Sequence, residues 1–149
     1  MARRKTPPAT SLGASPDELE ARFYQALQRA DVEALMSVWA DDDEIVCVHP
    51  GGPRVVGPLA IRASFEAIFA NGPIPVQPEQ VRRLEALSGV VHHLLERVEV
   101  STEEGPRSAW VVATNVYLQT ARGWRLVAHH ASPGSLQPPE EAPAGGVLH

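Results

Sequence analysis

Cysteine is nearly absent from this chain, aromatic residues make up only 5% of it, and acidic charge outweighs basic. Each scarcity excludes something. Cys47 alone cannot close a disulfide within the chain, and its place in the apolar run Ile45-Val46-Cys47-Val48 suits a small core residue in a reducing compartment. A formal net charge of −5 and the shortage of stacking side chains leave neither the basic face nor the platform that nucleic acid requires, so no nucleic-acid partner is expected. No apolar run approaches the length of a membrane span. The basic Ala2-Arg3-Arg4-Lys5 leads into Thr6-Pro7-Pro8-Ala9-Thr10-Ser11 rather than into the apolar stretch of a signal peptide. A cytoplasmic protein without membrane contact is expected. There is no glycine-rich phosphate loop and no paired-cysteine site, so no cofactor and no metal are expected.

What is present fits one core. With 149 residues and 44% hydrophobic residues, the chain has the size of a single domain. Residues 1–14 and 135–149 are rich in Pro, Ala, Gly and Ser and read as a disordered N-terminal tail and a flexible C-terminal tail around a domain at 15–134. Ser15-Pro16-Asp17-Glu18 combines an N-cap, a proline in the first helical position and a glutamate three residues after the cap, which predicts a helix start. Leu19, Phe23, Ala26, Leu27 and Ala30 give that helix one apolar face. Asp31 caps a second short helix carrying Leu35, Val38 and Trp39, and Pro58 opens a third with Ile61, Phe65, Ile68 and Phe69 on one side.

Beyond residue 75 the pattern changes to period two, with turn signals at Ser88-Gly89, Glu104-Gly105-Pro106 and Arg122-Gly123. Strands near 76–87, 90–102, 107–120 and 123–132 follow, and a lone strand at 44–48 joins their sheet or caps its edge. The expected class is α+β: a cone-shaped, curved antiparallel sheet packed against three N-terminal helices and enclosing a pocket.

His49 ends the apolar run and directly precedes Pro50-Gly51-Gly52, at the mouth of whatever strand and helix enclose. An imidazole there suits proton transfer, although a histidine at a strand end also serves simply to order the turn. On the strand through residue 96, the row Val90, His92, Leu94, Glu96, Val98 and Val100 is more apolar than its alternate and should face inward. Glu96 then points into the cavity as a buried acid or base paired with His49. A slip of one residue would instead turn it to solvent. On the next strand, Trp110, Val112, Thr114, Val116 and Leu118 alternate with Val111, Ala113, Asn115, Tyr117 and Gln119, and both rows are apolar enough for burial. Such a strand needs a cover on its outer face, most simply a second copy of the chain, so a homodimer through that face is expected.

The order of elements, the segments Trp39-Ala40-Asp41-Asp42-Asp43, His49-Pro50-Gly51-Gly52 and Gly57-Pro58-Leu59-Ala60-Ile61-Arg62, and the end Gly123-Trp124-Arg125-Leu126-Val127-Ala128-His129-His130-Ala131-Ser132 resemble the nuclear transport factor two-like superfamily, most closely its SnoaL-like and ketosteroid-isomerase-like members. The final strand is also similar to the association domain of calcium/calmodulin-dependent protein kinase II. The resemblance puts His49 at the catalytic base, Asn115 at an oxyanion-hole aspartate and Phe23 at an oxyanion-hole tyrosine. Phe23 donates no hydrogen bond, a departure from the steroid isomerases. The resemblance also implies Asn115 and Tyr117 inside, Trp110 at the dimer contact, and His130 inward with Ala128 and Ser132, leaving His129 for the interface.

The catalytic candidates are therefore His49, Glu96 and Asn115, and the ligand-binding candidates are Trp39, Phe65, Tyr117 and His130. Inward imidazoles at 49, 92 and 130 have no metal-ligand spacing to support them. Two functions are expected to compete. One is a pocket for a small hydrophobic molecule with acid/base chemistry of isomerase, cyclase or dehydratase type, needing no cofactor. The other is a non-catalytic module that homo-oligomerises.

Overall fold

A computed structural model describes residues 13–141. Helices α1 (Pro16–Arg29), α2 (Val32–Met36) and α3 (Pro58–Phe69) accompany strands β1 (Val46–Val48), β2 (Arg54–Val56), β3 (Val76–Glu85), β4 (Gly89–Thr102), β5 (Gly105–Thr120) and β6 (Gly123–Ala131). The α+β class is as expected. The capping box at the start of α1 forms as the sequence predicts, with the Ser15 hydroxyl accepting from Glu18 N at 3.1 Å and Glu18 Oε1 accepting from Ser15 N at 2.9 Å. The six strands form one open sheet in the order β2-β1-β6-β5-β4-β3.

The sheet is mixed rather than antiparallel throughout. β1 lies parallel to β6 with Cys47 opposite His129, because the chain reaches β6 only after passing through α3 and the β3–β5 meander. β2, which pairs antiparallel with β1 at the edge, is three residues long and follows a Pro/Gly-rich turn, too short for alternation to reveal. The second helix ends at Met36, earlier than expected, and Trp39 lies beyond it in a bridge to Leu126.

Two hairpins in the meander share one device. Thr102 and Thr120 donate through their hydroxyls to the carbonyls of Gly105 and Gly123, each at 2.7 Å, and both glycines hold positive φ, of 101° and 96°. That backbone region is open to glycine at little steric cost. α1 touches both β6 and β3, strands separated in the sheet by β4 and β5, so the sheet curves around this helix. Leu19, Phe23 and Tyr24 of α1, Ile61 and Phe65 of α3 and Leu94, Tyr117 and Leu126 of the sheet are almost fully buried between the layers.

A bulge decides which side chains of β6 face that interior. Val116 pairs with Ala128 but Tyr117 pairs with Leu126, so Val127 is an extra residue on β6 and strict alternation breaks there. At the end of β6, Ser135 continues the pairing beside Trp110, with N···O distances of 2.7 and 2.9 Å. The chain then crosses the outer sheet face to an Arg82–Glu141 ion pair of 3.0 Å, so part of the expected C-terminal tail lies against the domain. No helix among the described residues is long and apolar enough to cross a membrane. Replacing Ser15 by Ala removes a helix cap and is expected to cost about 1 kcal/mol of unfolding free energy, measured by chemical denaturation. An unchanged midpoint would mean that the cap contributes nothing to the folded domain.

Candidate functional site

A cavity of about 430 Å3 opens between α1, α3 and the inner face of β4, β5 and β6. Its walls are largely apolar, with Phe23 and Leu27 from α1, Phe65 and Ile68 from α3, and Val98 and Val111 from the sheet. Three titratable side chains interrupt them: His49, Glu96 and His129.

His49 follows β1, in a turn closed by Gly52 N donating to His49 O at 2.8 Å. Its ring stands edge-on to Phe65 with centroids 4.7 Å apart. His49 Nε2 lies 2.9 Å from Ser64 Oγ, and that hydroxyl donates its own hydrogen to the Ile61 carbonyl at 2.7 Å. Nε2 also lies 3.8 Å from Cys47 Sγ; with the Ser64 hydrogen directed to Ile61, the serine oxygen is the acceptor for a proton on Nε2, the tautomer that leaves Nδ1 bare. Burial lowers the pKa of His49 below its ordinary value.

Glu96 faces inward from β4, in the row with Val90, His92 and Leu94. The Tyr24 hydroxyl donates to Glu96 Oε2 at 2.7 Å. Burial pushes the Glu96 carboxyl up to about 7; the Tyr24 hydrogen bond pulls against that shift and the charge of Glu20 adds to it. His129 Nε2 lies 3.8 Å from the same oxygen. Burial, with smaller contributions from His49 and His130, drives His129 down to about 3, so this contact joins two uncharged groups at mildly acidic pH. His49 and Glu96 line one cavity but are not hydrogen-bonded to each other: His49 is held by Ser64 and Glu96 by Tyr24.

A second layer lies behind the wall. Cys47, His129, Asn115 and His92 stand opposite one another in a row across β1, β6, β5 and β4. Asn115 Oδ1 is 2.5 Å from His129 Nδ1, and Asn115 Nδ2 is 3.3 Å from both Tyr24 Oη and Glu20 Oε2. Glu20 Oε2 also meets His92 Nδ1 at 2.8 Å and the Tyr117 hydroxyl at 3.3 Å. Glu20, His92 and His129, together with the Tyr24 hydroxyl, are the buried polar groups of this layer that were not among the sequence-derived site candidates. The signal for Glu20 was its place on α1, four residues before Tyr24 and seven before Leu27, at one edge of the apolar stripe.

Several expectations require correction. His130 is exposed and His129 buried, the reverse of the expected orientation, because the bulge at Val127 shifts the alternation. Asn115 and Tyr117 point inward but sit behind the cavity wall, 0% and 1% exposed, and hold other side chains rather than the space itself. Trp39 is buried away from this cavity, beside a separate surface cleft of about 440 Å3 rimmed by Asp41, Asp42, Arg122 and Arg125. Phe65 does line the cavity. Among the described residues no group of three or more His, Cys, Asp or Glu side chains is arranged to hold a metal ion.

The two shifted groups act on stability with opposite signs. A carboxyl whose pKa rises on folding binds more protons folded than unfolded, so Glu96 destabilises the protein progressively between pH ~4.5 and about 7. A histidine whose pKa falls does the reverse, and His129 makes stability rise from about pH 3 to ~6.5. Glu96→Gln removes the first effect alone. Its stability relative to the parent should increase from pH 4.5 to pH 8 by up to ~3 kcal/mol, read from urea denaturation across that range. A difference that stays constant with pH would show that Glu96 is not held neutral by its surroundings.

Comparison with known proteins places this geometry in a family. No match was found among curated proteins. A candidate calcium/calmodulin-dependent protein kinase type II association domain from Thiobacillus denitrificans is 35% identical in sequence, with a TM-score of 0.72 over 80% of this chain and 94% of that one. A candidate dehydratase of the NTF2-like family from Streptomyces avermitilis is 30% identical, with a TM-score of 0.68 over 77% and 90% of the two chains. The hub of the S. rosetta calcium/calmodulin-dependent kinase, 20% identical with a TM-score of 0.64 over 82% of this chain and 98% of that one, shares the fold. The pattern of the SnoaL-like domain matches residues 17–135, and the chain belongs to that family.

Proposed function

We propose that the chain binds a small, uncharged, largely apolar molecule in the Phe23–Phe65 cavity and catalyses a cofactor-independent proton transfer on it, of isomerase or dehydratase type. The observation that carries this reading is the pairing of opposite proton roles in one apolar space. His49 is held neutral with Nδ1 free to accept, while Glu96 keeps its proton up to about pH 7. An acid whose pKa lies above that of the neighbouring base lets both be present in working form in mildly acidic to neutral solution. His49 takes a proton from carbon next to a ligand carbonyl. Glu96 gives its proton to the oxygen that becomes negative or leaves. Asn115 contributes by holding His129 and Tyr24. The candidate dehydratase at 30% identity supports the same class of chemistry.

The test uses uncharged β-hydroxy ketones as probes, following water loss by ultraviolet absorbance and deuterium exchange at the carbon beside the carbonyl by NMR. The rate should fall at low pH as His49 gains a proton and at high pH as Glu96 loses its own. His49→Ala and Glu96→Gln should each lower it ~10²–10⁴-fold. Parent-like rates in both variants would remove the assignment. Probes that bind without reacting would favour a ligand-holding association module instead.

The same reading includes a homodimer through the outer sheet face. Val116 on that face is only half-buried and Leu118 is 44% exposed, whereas Val112 lies beside the C-terminal Pro139–Glu141 segment, and the association-domain relative at 35% identity supports self-association. Trp110 lies near the proposed contact, and a reducing cytoplasm suits the free, buried Cys47. Light scattering should give twice the chain mass at micromolar concentration; a monomer would contradict this arrangement.

A further inference from the structure

Glu20 takes no part in the proton transfer proposed above, yet it is buried at the centre of the polar layer behind the cavity. We infer that Glu20 is a positioning residue that acts through the Asn115 amide to fix the tautomer of His129, so that His129 presents an unprotonated Nε2 beside Glu96. The inference rests on the functional reading only for the use made of that nitrogen. The hydrogen-bond geometry stands without it.

Glu20 Oε2 receives the Tyr117 hydroxyl at 3.3 Å and lies 2.8 Å from His92 Nδ1, which makes this oxygen an acceptor. Asn115 therefore has to turn its NH₂ end toward Glu20, because its carbonyl there would set two acceptors 3.3 Å apart with no hydrogen between them. The second hydrogen of that NH₂ reaches Tyr24 Oη at 3.3 Å, and Tyr24 passes its own hydrogen to Glu96 Oε2. With the amide so oriented, only Asn115 Oδ1 can face His129, and it accepts from His129 Nδ1 at 2.5 Å. A neutral imidazole with its proton on Nδ1 has a lone pair on Nε2. That nitrogen lies 3.8 Å from Glu96 Oε2 on a residue that lines the cavity.

Glu96 Oε2, 3.8 Å from His129 Nε2, belongs to a carboxyl that keeps its proton to about pH 7, and the other groups packed around His129 do not impose the choice. Phe23 of α1 packs with its ring centroid 4.9 Å away at a 45° tilt and offers no acceptor, Cys47 of β1 stands beside it in the sheet with its thiol protonated to about pH 12, and His49 and His130 disfavour a second proton on the ring without selecting which nitrogen keeps the first. Asp17, 3.6 Å from His92 Nε2, lies on the far side of Glu20's cluster. The Asn115 amide distinguishes Nδ1 from Nε2, and its orientation is set by two acceptors on α1, the Glu20 carboxylate and the Tyr24 hydroxyl oxygen, of which Glu20 carries the charge. The chemical consequence is selectivity: a ligand hydroxyl can donate to Nε2, whereas a carbonyl or ether oxygen placed there meets a lone pair.

The experiment is ¹⁵N NMR of the histidine ring nitrogens in the full chain without ligand, so its outcome does not depend on whether the protein proves to be catalytic. In the parent, His129 should show a protonated Nδ1 and an unprotonated Nε2 from mildly acidic to mildly alkaline pH. Glu20→Gln offers Asn115 a donor as readily as an acceptor and leaves Tyr24 alone to orient the amide, so the second His129 tautomer should become detectable. A parent spectrum with the proton on Nε2 overturns the inference with no variant needed, as does a Glu20→Gln spectrum identical to the parent. Should Glu20→Gln not fold, Asn115→Ala provides the second variant: it removes the acceptor of Nδ1 and should likewise lose the single tautomer, while retention of the parent tautomer would overturn the inference.

Discussion

The structure depends on a buried web of directed hydrogen bonds between α1 and the sheet. Glu20, Tyr24, Glu96, Asn115, Tyr117, His92 and His129 are all removed from solvent in an otherwise apolar interior. A buried polar group without a partner costs on the order of 1–3 kcal/mol, so each of these groups constrains its neighbours. They answer one another across three strands and a helix, and the packing of α1 on β4, β5 and β6 is locked to one register by them. A hydrophobic interface alone would allow small slides, whereas a network with fixed donor and acceptor ends tolerates few.

The cavity inherits its chemistry from that layer. Tyr24 gives Glu96 one hydrogen bond, too little to offset burial, and the carboxyl stays protonated to about pH 7. His49 and His129 are both kept neutral by the same dry surroundings, and the partners of each determine which nitrogen is bare: Ser64 for His49, Asn115 for His129. An apolar space of about 430 Å3 with one proton donor and two acceptors suits an uncharged ligand with oxygen functions better than an anion, since among the described residues none in its wall is a lysine or an arginine.

Much of the fold was legible because its signals are local. The Ser15–Glu18 capping box, Pro58 at the start of α3 and the glycines of the two hairpins each declare a structure from a few neighbouring residues. Alternation along β4 favoured the row containing Glu96 but left a one-residue slip open, and the pairing of β4 with β5 sets that row toward the interior. What escaped was non-local. The extra residue at Val127 depends on how β6 pairs with β5, and it exchanges the faces of His129 and His130. Trp39 looks like a cavity wall in sequence because it is large and apolar, but the early end of α2 and its bridge to Leu126 carry it elsewhere. Glu20 is one acidic residue among several on α1; its burial appears only once its partners, 72, 95 and 97 residues away in sequence, are in place.

The proposed chemistry depends most directly on the protonation of one carboxyl, that of Glu96. Titration of the Glu96 side-chain carboxyl carbon by ¹³C NMR, assigned by its disappearance in Glu96→Gln, measures it in the folded protein. The structure predicts a midpoint near pH 7. A midpoint at the ordinary glutamate value, ~4.3, would mean that Glu96 is solvated or ion-paired, and the cavity would then lack the proton donor on which the proposed chemistry depends.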